Sequence, residues 1–175
     1  MDRKVILYIA MILDGFIATD DDNIDFLSIV DEKDQDYGYF DFVKTVDTVI
    51  MGRKTYDKVL SFGIEFPHAD KKTYIITRLS RPSIGSVSFY TGSLNNLVNQ
   101  LKVREGRNIY VDGGAEIVHE LLKEELIDEF YISIIPILLG NGIPLFKNGR
   151  RELKLKLTSS KSFNKGLVQL HYEKL

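Results

Sequence analysis

At 175 residues the chain is long enough for one domain with a sizeable core, and with no cysteine it has no disulfide, Cys-ligated metal, iron–sulfur or thiol chemistry. Hydrophobic residues at 44% and charged residues at 27% exclude a disordered or low-complexity chain. A net charge of −2 gives no global attraction to nucleic acid or to an anionic membrane.

Arg3 and Lys4 precede an apolar run, residues 5–13, that has the outline of a signal peptide. Asp14 and Gly15 end the run, no small-x-small site follows, and its length is far short of a bilayer span. Residues 5–10 therefore read as a strand buried on both faces, in a cytoplasmic protein. Residues 32–46 have helical spacing, with Tyr39, Phe40, Val43 and Val46 sharing a face. A strand at 48–51 runs straight into a helix at 52–60, and further strands follow at 73–77 and 87–90. Ser93 is placed to cap a helix whose Leu94, Leu97, Val98 and Leu101 form one stripe. After a strand at 108–111, Gly114 opens a helix that turns Ile117, Val118, Leu121 and Leu122 inward. Residues 130–139 form a long apolar strand. Residues 153–163 and 167–172 alternate about Asn164-Lys165-Gly166, which predicts an antiparallel hairpin at the sheet edge with lysines on its wet face. Eight strands and four helices in one α/β domain, residues 1–175, are the expectation.

Three strand ends carry groups suited to anions. Gly52-Arg53-Lys54-Thr55 starts a helix at the carboxyl end of a strand, with free N–H groups, two cations and a hydroxyl. Taken alone it is also an ordinary helix start with solvated cations. Asp112-Gly113-Gly114-Ala115 is again strand into helix, with two glycines that let a diphosphate reach the backbone; it is neither Gly-x-Gly-x-x-Gly nor a Walker A loop. Thr77-Arg78 ends a third strand with a guanidinium. Together, along the ligand edge of an open α/β sheet, the three predict a phosphorylated dinucleotide.

Other chemistries fail on spacing. His119-Glu120 lacks the second histidine of a zinc helix, since position 123 is Lys. The acidic run from Asp20 to Asp25 lacks the EF-hand order and reads as a solvated loop. No Gly-x-Ser-x-Gly elbow occurs, and Gly140-Asn141-Gly142-Ile143-Pro144 reads as a turn near the ligand edge.

Four segments, Leu13-Asp14-Gly15-Phe16-Ile17-Ala18, Val49-Ile50-Met51-Gly52-Arg53-Lys54-Thr55-Tyr56, Tyr110-Val111-Asp112-Gly113-Gly114-Ala115 and Pro136-Ile137-Leu138-Leu139-Gly140-Asn141-Gly142, occur in that order. They resemble the dihydrofolate reductase-like superfamily, and more closely its riboflavin biosynthesis reductase branch. The resemblance implies a three-layer α/β/α domain with a mostly parallel eight-stranded sheet and an antiparallel C-terminal edge. It implies NADPH as hydride donor to a C=N bond of a small heterocycle, either pterin-like or the ribosylaminouracil phosphate of riboflavin synthesis. A nucleotide-binding homologue without catalysis is the third possibility. Carried over by position, Ala10 and Ile17 pack against nicotinamide. Gly52, Arg53 and Thr55 hold phosphate, Arg53 near the 2′-phosphate, and Thr77 and Arg78 complete that subsite. Gly113, Gly114 and Ala115 form the diphosphate loop. The catalytic acid falls at Asp25 or Asp31; a buried acid there would serve as proton donor and a solvated one would not. The resemblance also implies a homodimer, for which residues 130–139 are a candidate surface.

Overall fold

The computed structural model describes residues 3–175. Ten strands and four helices alternate in chain order: β1 (Val5–Ile12), β2 (Phe16–Ala18), α1 (Tyr39–Lys44), β3 (Val46–Gly52), α2 (Arg53–Ser61), β4 (Lys72–Ile76), β5 (Val87–Tyr90), α3 (Leu94–Lys102), β6 (Asn108–Gly113), α4 (Ala115–Lys123), β7 (Glu129–Ile135), β8 (Ile143–Pro144), β9 (Leu155–Ser162) and β10 (Val168–Lys174). Eight of the strands form one sheet in the order β5-β4-β3-β6-β1-β7-β10-β9. Pairing is parallel from β5 to β7, and β10 runs against both of its neighbours. The mostly parallel sheet with an antiparallel edge is thus the architecture expected.

Alternation along the strands sorts the side chains into two layers. Val5, Leu7, Ile50, Ile109 and Val111 pack against α3 and α4 through Leu97, Val98, Leu101, Ile117, Val118 and Leu121. On the other face Ile6, Val49 and Tyr110 meet Phe42 of α1, and Met51 and Ile75 meet Tyr56 of α2. Ser93 caps α3 as expected, its hydroxyl accepting from the Asn96 amide.

The first helix is shorter than its spacing suggests. The backbone enters the left-handed region at Asp34, Tyr37 and Gly38, which ends any helical run before Tyr39. Asp36 then organises the start of α1, its carboxylate accepting from the Gly38 amide at 3.1 Å and the Phe40 amide at 2.8 Å. With this late start the buried face changes: Phe42 is 7% exposed and Phe40 is 68% exposed.

Three other expectations shift. β7 stops at Ile135, because Pro136 has no N–H for the ladder, and Leu138 stands 69% exposed. β7 lies between β1 and β10, so both of its backbone edges are paired within the sheet. Every residue of β9 is exposed, so its leucines do not form a buried face; among the described residues no element lies beyond this edge, and the lysines along it discourage strand addition. The spacing also missed the small β2–β8 ladder. That ladder ties two of the quoted segments together. The Asp14 carboxylate accepts from the Gly140 amide at 2.8 Å, and a Cβ at Gly142 would strike the Ala18 carbonyl.

The α1 packing is testable by urea denaturation. Phe42→Ala is expected to cost about 3–5 kcal/mol, as large aromatic deletions in cores do. Phe40→Ala should stay within about 0.5 kcal/mol, as exposed substitutions do. Equal costs would contradict the observed helix face.

Candidate active site

β4, β3 and β6 are adjacent and parallel, so their carboxyl ends share one edge about 4.8 Å apart. Gly52 ends β3 opposite Ile76 of β4, one residue before Thr77, and Met51 lies opposite Gly113 of β6. Two nine-residue helices, α2 and α4, start from that edge directly after Gly52 and Gly114, and neither start has a side-chain cap. Their first N–H groups are left for another acceptor.

The two starts face each other at close quarters. A Cβ on Gly114 would lie 3.1 Å from the Thr55 hydroxyl, and one on Gly52 would lie 3.2 Å from Ile117 and 3.6 Å from the Gly114 nitrogen. Gly113 has φ +120°, which only glycine adopts freely, and its peptide to Gly114 is cis. Gly52, Thr55, Gly113, Gly114 and Ala115 are therefore brought together as a backbone-lined cradle. The positive ends of two helix dipoles converge on it. The acid in the first turn of α4, Glu116, points away to Lys147, whose hydrogen bond holds its carboxyl below the usual range.

The charged residues flank this cradle. Arg53 pairs with Asp57 at 3.0 Å on the surface of α2, a contact of the kind worth under about 1 kcal/mol that an anion can displace. Thr77 is half-buried, and its hydroxyl accepts from the Leu79 amide at 3.2 Å. Arg78 is exposed and has no ion-pair or hydrogen-bond partner among the described residues.

Ala10 and Ile17 are both half-buried, in different side-chain clusters. Ala10 packs with Val30, Ile135 and Leu167, and Ile17 packs with the α3–α4 core. Asp25 and Asp31 bracket a 3-10 segment, Asp25–Val30, and both are exposed. Asp25 accepts from the Asn23 amide group at 2.8 Å. The Asp31 carbonyl, not its carboxylate, accepts from Lys165. Neither acid is buried, and burial is the condition under which either would serve as a proton donor.

A different polar group lies over β6, between Tyr39 of α1 and the loop that follows α2. Asp112 accepts from the Tyr110 hydroxyl at 2.7 Å and faces His68 Nε2 at 3.3 Å. The His68 ring, from the loop between α2 and β4, meets Tyr110 edge-on at 5.6 Å and Phe66 at 5.5 Å. Burial, then the charge of Asp112, push the Tyr39 phenol up to about 12. The same two causes hold Tyr110 well above the ordinary phenol range, so it stays a donor. Asp112 and Tyr110 were visible in the Tyr-Val-Asp-Gly-Gly segment, two apart on a strand and so on one face. His68 comes from an irregular loop, and no spacing signals it.

Comparisons with known proteins show the family and the fold. The model of the RibD C-terminal domain matches residues 66–169, and the chain belongs to that family. It is 44% identical to the uncharacterized protein YwjB of Bacillus subtilis (strain 168), over 98% of both chains. Among solved structures, a Shewanella sp. PV-4 protein provisionally assigned to riboflavin biosynthesis has a TM-score of 0.89 at 32% identity, covering 100% of this chain and 99% of its own. Dihydrofolate reductase from Enterococcus faecalis, solved with NADP(H), has a TM-score of 0.69 at 15% identity, covering 98% of this chain and 96% of its own. The fold is therefore the dihydrofolate reductase-like three-layer fold.

The cleft phenols give an alkaline signature. A phenol whose pKa is raised from 10.0 to about 12 on folding stabilises the fold fully below pH 10 and loses that contribution as pH climbs to about 12. Absorbance at 295 nm should show Tyr39 titrating late, and Tyr39→Phe should remove that late step and flatten the loss of stability in this window. Titration of all nine tyrosines together near pH 10 would contradict the buried cluster.

Proposed function

We propose that the chain is an NADPH-dependent reductase that transfers hydride to a C=N bond of a small heterocycle of the pterin or ribosylaminopyrimidine class. The observation that carries the reading is the paired, uncapped helix starts at Gly52 and Gly114, with the missing Cβ at Gly114 leaving room beside Thr55. These features fit a diphosphate. Gly52, Thr55, Gly113, Gly114 and Ala115 would hold it, with Arg53, Thr77 and Arg78 on the side where the 2′-phosphate distinguishes NADPH from NADH. Ala10 and Ile17 would flank the nicotinamide. When bound, the dinucleotide supplies a hydride; the protein supplies position and electrostatics.

Membership of the RibD C-terminal domain family favours the ribosylaminopyrimidine over the pterin as substrate. A cytoplasmic location goes with this reading. No helix among the described residues is long and apolar enough to cross a membrane. A homodimer remains part of the proposal, with residues 130–139 as its candidate surface.

Titration of NADPH against NADH, followed by cofactor fluorescence, tests the cofactor. NADPH should bind more tightly. Arg78→Ala should weaken NADPH about tenfold, as loss of a charge-assisted hydrogen bond does, and leave NADH unchanged. Gly114→Asp should abolish both by filling the cradle with a like charge. No preference between the cofactors, or binding unaffected by Gly114→Asp, would overturn the assignment. Oxidation of NADPH by 7,8-dihydrofolate or by 5-amino-6-ribosylaminouracil phosphate then separates the two substrate classes.

A further inference from the structure

We propose that Lys147 is a further ligand of the diphosphate and that Glu116 holds it in readiness until the anion arrives. The inference deepens the reductase reading and rests on it for the identity of the anion. Glu116 is the second residue of α4, directly after Ala115 of the cradle. Its carboxylate is 77% exposed and accepts a hydrogen bond from the Lys147 ammonium, whose side chain is 30% exposed. Two residues before Lys147, Leu145 is fully buried in the core that includes Ile117 and Val118 of α4. The Leu145 amide also donates to the Gly15 carbonyl at 2.9 Å. The turn after β8 is therefore pinned against α4, and its lysine stands beside the first turn of that helix. The hydrogen bond from Lys147 comes first in holding the Glu116 carboxyl below the usual range, and the charges of His119 and Lys54 act in the same direction. Lys54 belongs to the first turn of α2, so cations from both helix starts and from the β8 turn surround one acid.

A carboxylate at a helix start is favourable to the dipole while the first amides are free. It becomes unfavourable once a doubly charged diphosphate lies against the same amides, because like charges at close range repel. An exposed ion pair has little net worth, so Lys147 loses little by leaving Glu116. Its ammonium gains a charge-assisted hydrogen bond to a phosphate oxygen. A lysine carries a point charge on a flexible stem, so it can pass from the carboxylate to an anion over the same turn without movement of its backbone. The exposed Glu116 carboxylate is then free to turn to water. The two kinds of cation divide the cofactor: Arg78 serves the 2′-phosphate that only NADPH carries, and Lys147 serves the diphosphate that NADPH and NADH share.

Calorimetric titration of the protein with NADPH, NADH and inorganic pyrophosphate tests the inference. Lys147→Ala should weaken all three about tenfold, in contrast to the NADPH-only effect of Arg78→Ala. Glu116→Gln removes both the resting partner and the like charge, and should tighten all three about threefold. A salt bridge that merely braces the surface predicts the same sign for both substitutions, since each breaks the same bond. Lys147→Arg keeps the cation and should stay within about threefold of the unsubstituted protein, which separates charge from packing. Carboxyl-carbon spectra follow Glu116 itself: saturating pyrophosphate should raise its pKa, as its cation leaves and an anion arrives. Unchanged pyrophosphate binding in Lys147→Ala, weaker binding in Glu116→Gln, or a Glu116 pKa that stays low at saturation would overturn the proposal. Absence of pyrophosphate binding to the unsubstituted protein would overturn it too. Failure of NADPH alone, with the pyrophosphate pattern intact, would refute the reductase reading and leave Lys147 as a ligand of the cradle's anion.

Discussion

The close approach of two helix starts at the carboxyl edge of the sheet is the constraint on which the site depends. α2 leaves from Gly52 and α4 from Gly114, and the Thr55 hydroxyl occupies the space where a side chain on Gly114 would stand. The parallel register makes this possible, since β3 and β6 are hydrogen-bonded neighbours and deliver both helices at the same level. Unpaired N–H groups at a helix start are costly when they are left without an acceptor. Two such starts side by side make a concentrated, preorganised positive field that an anion satisfies without any rearrangement.

The rest of the fold supports this edge and divides its functions. On one face α3 and α4 form the larger core and anchor the cradle through Ile117 and Val118. On the other face Tyr110, Asp112 and His68 form a polar group over β6. Asp112 belongs to both regions, because it immediately precedes the glycine pair. Its side chain sits on the α1–α2 face while the backbone after it lines the anion cradle. A single strand end therefore carries both this polar group and the glycine-lined cradle.

The strands that carry the cradle were legible in the amino-acid sequence because they are short, apolar and followed at once by helical spacing. Residues 87–90 matched their strand to the residue, and Ser93 is the cap its position implies. The cradle glycines were legible only in combination, since each strand-to-helix turn taken alone reads as an ordinary turn and their shared sheet edge is what marks them. The stretch between β2 and β3 was not. Its helical spacing over residues 32–46 is real, but left-handed residues at Asp34, Tyr37 and Gly38 interrupt it, and only the Asp36 carboxylate restarts the helix. Asp25 and Asp31 were chosen by position along this same stretch, and the structure leaves both in solvent. Asp112, which joins Tyr110 and His68, lies in a segment noticed for its glycines, and its histidine partner arrives through a fold-dependent contact between residues 44 apart.

The most direct test of the account is amide chemical-shift mapping of the cradle as NADPH is added to the labelled protein. The account predicts that the amides of Arg53, Lys54, Ala115 and Glu116, at the two helix starts, shift together and saturably. Inorganic pyrophosphate should reproduce the pattern more weakly. Saturable binding that leaves those four amides unmoved, with shifts elsewhere on the surface, would contradict the claim that the paired helix starts form the cofactor site.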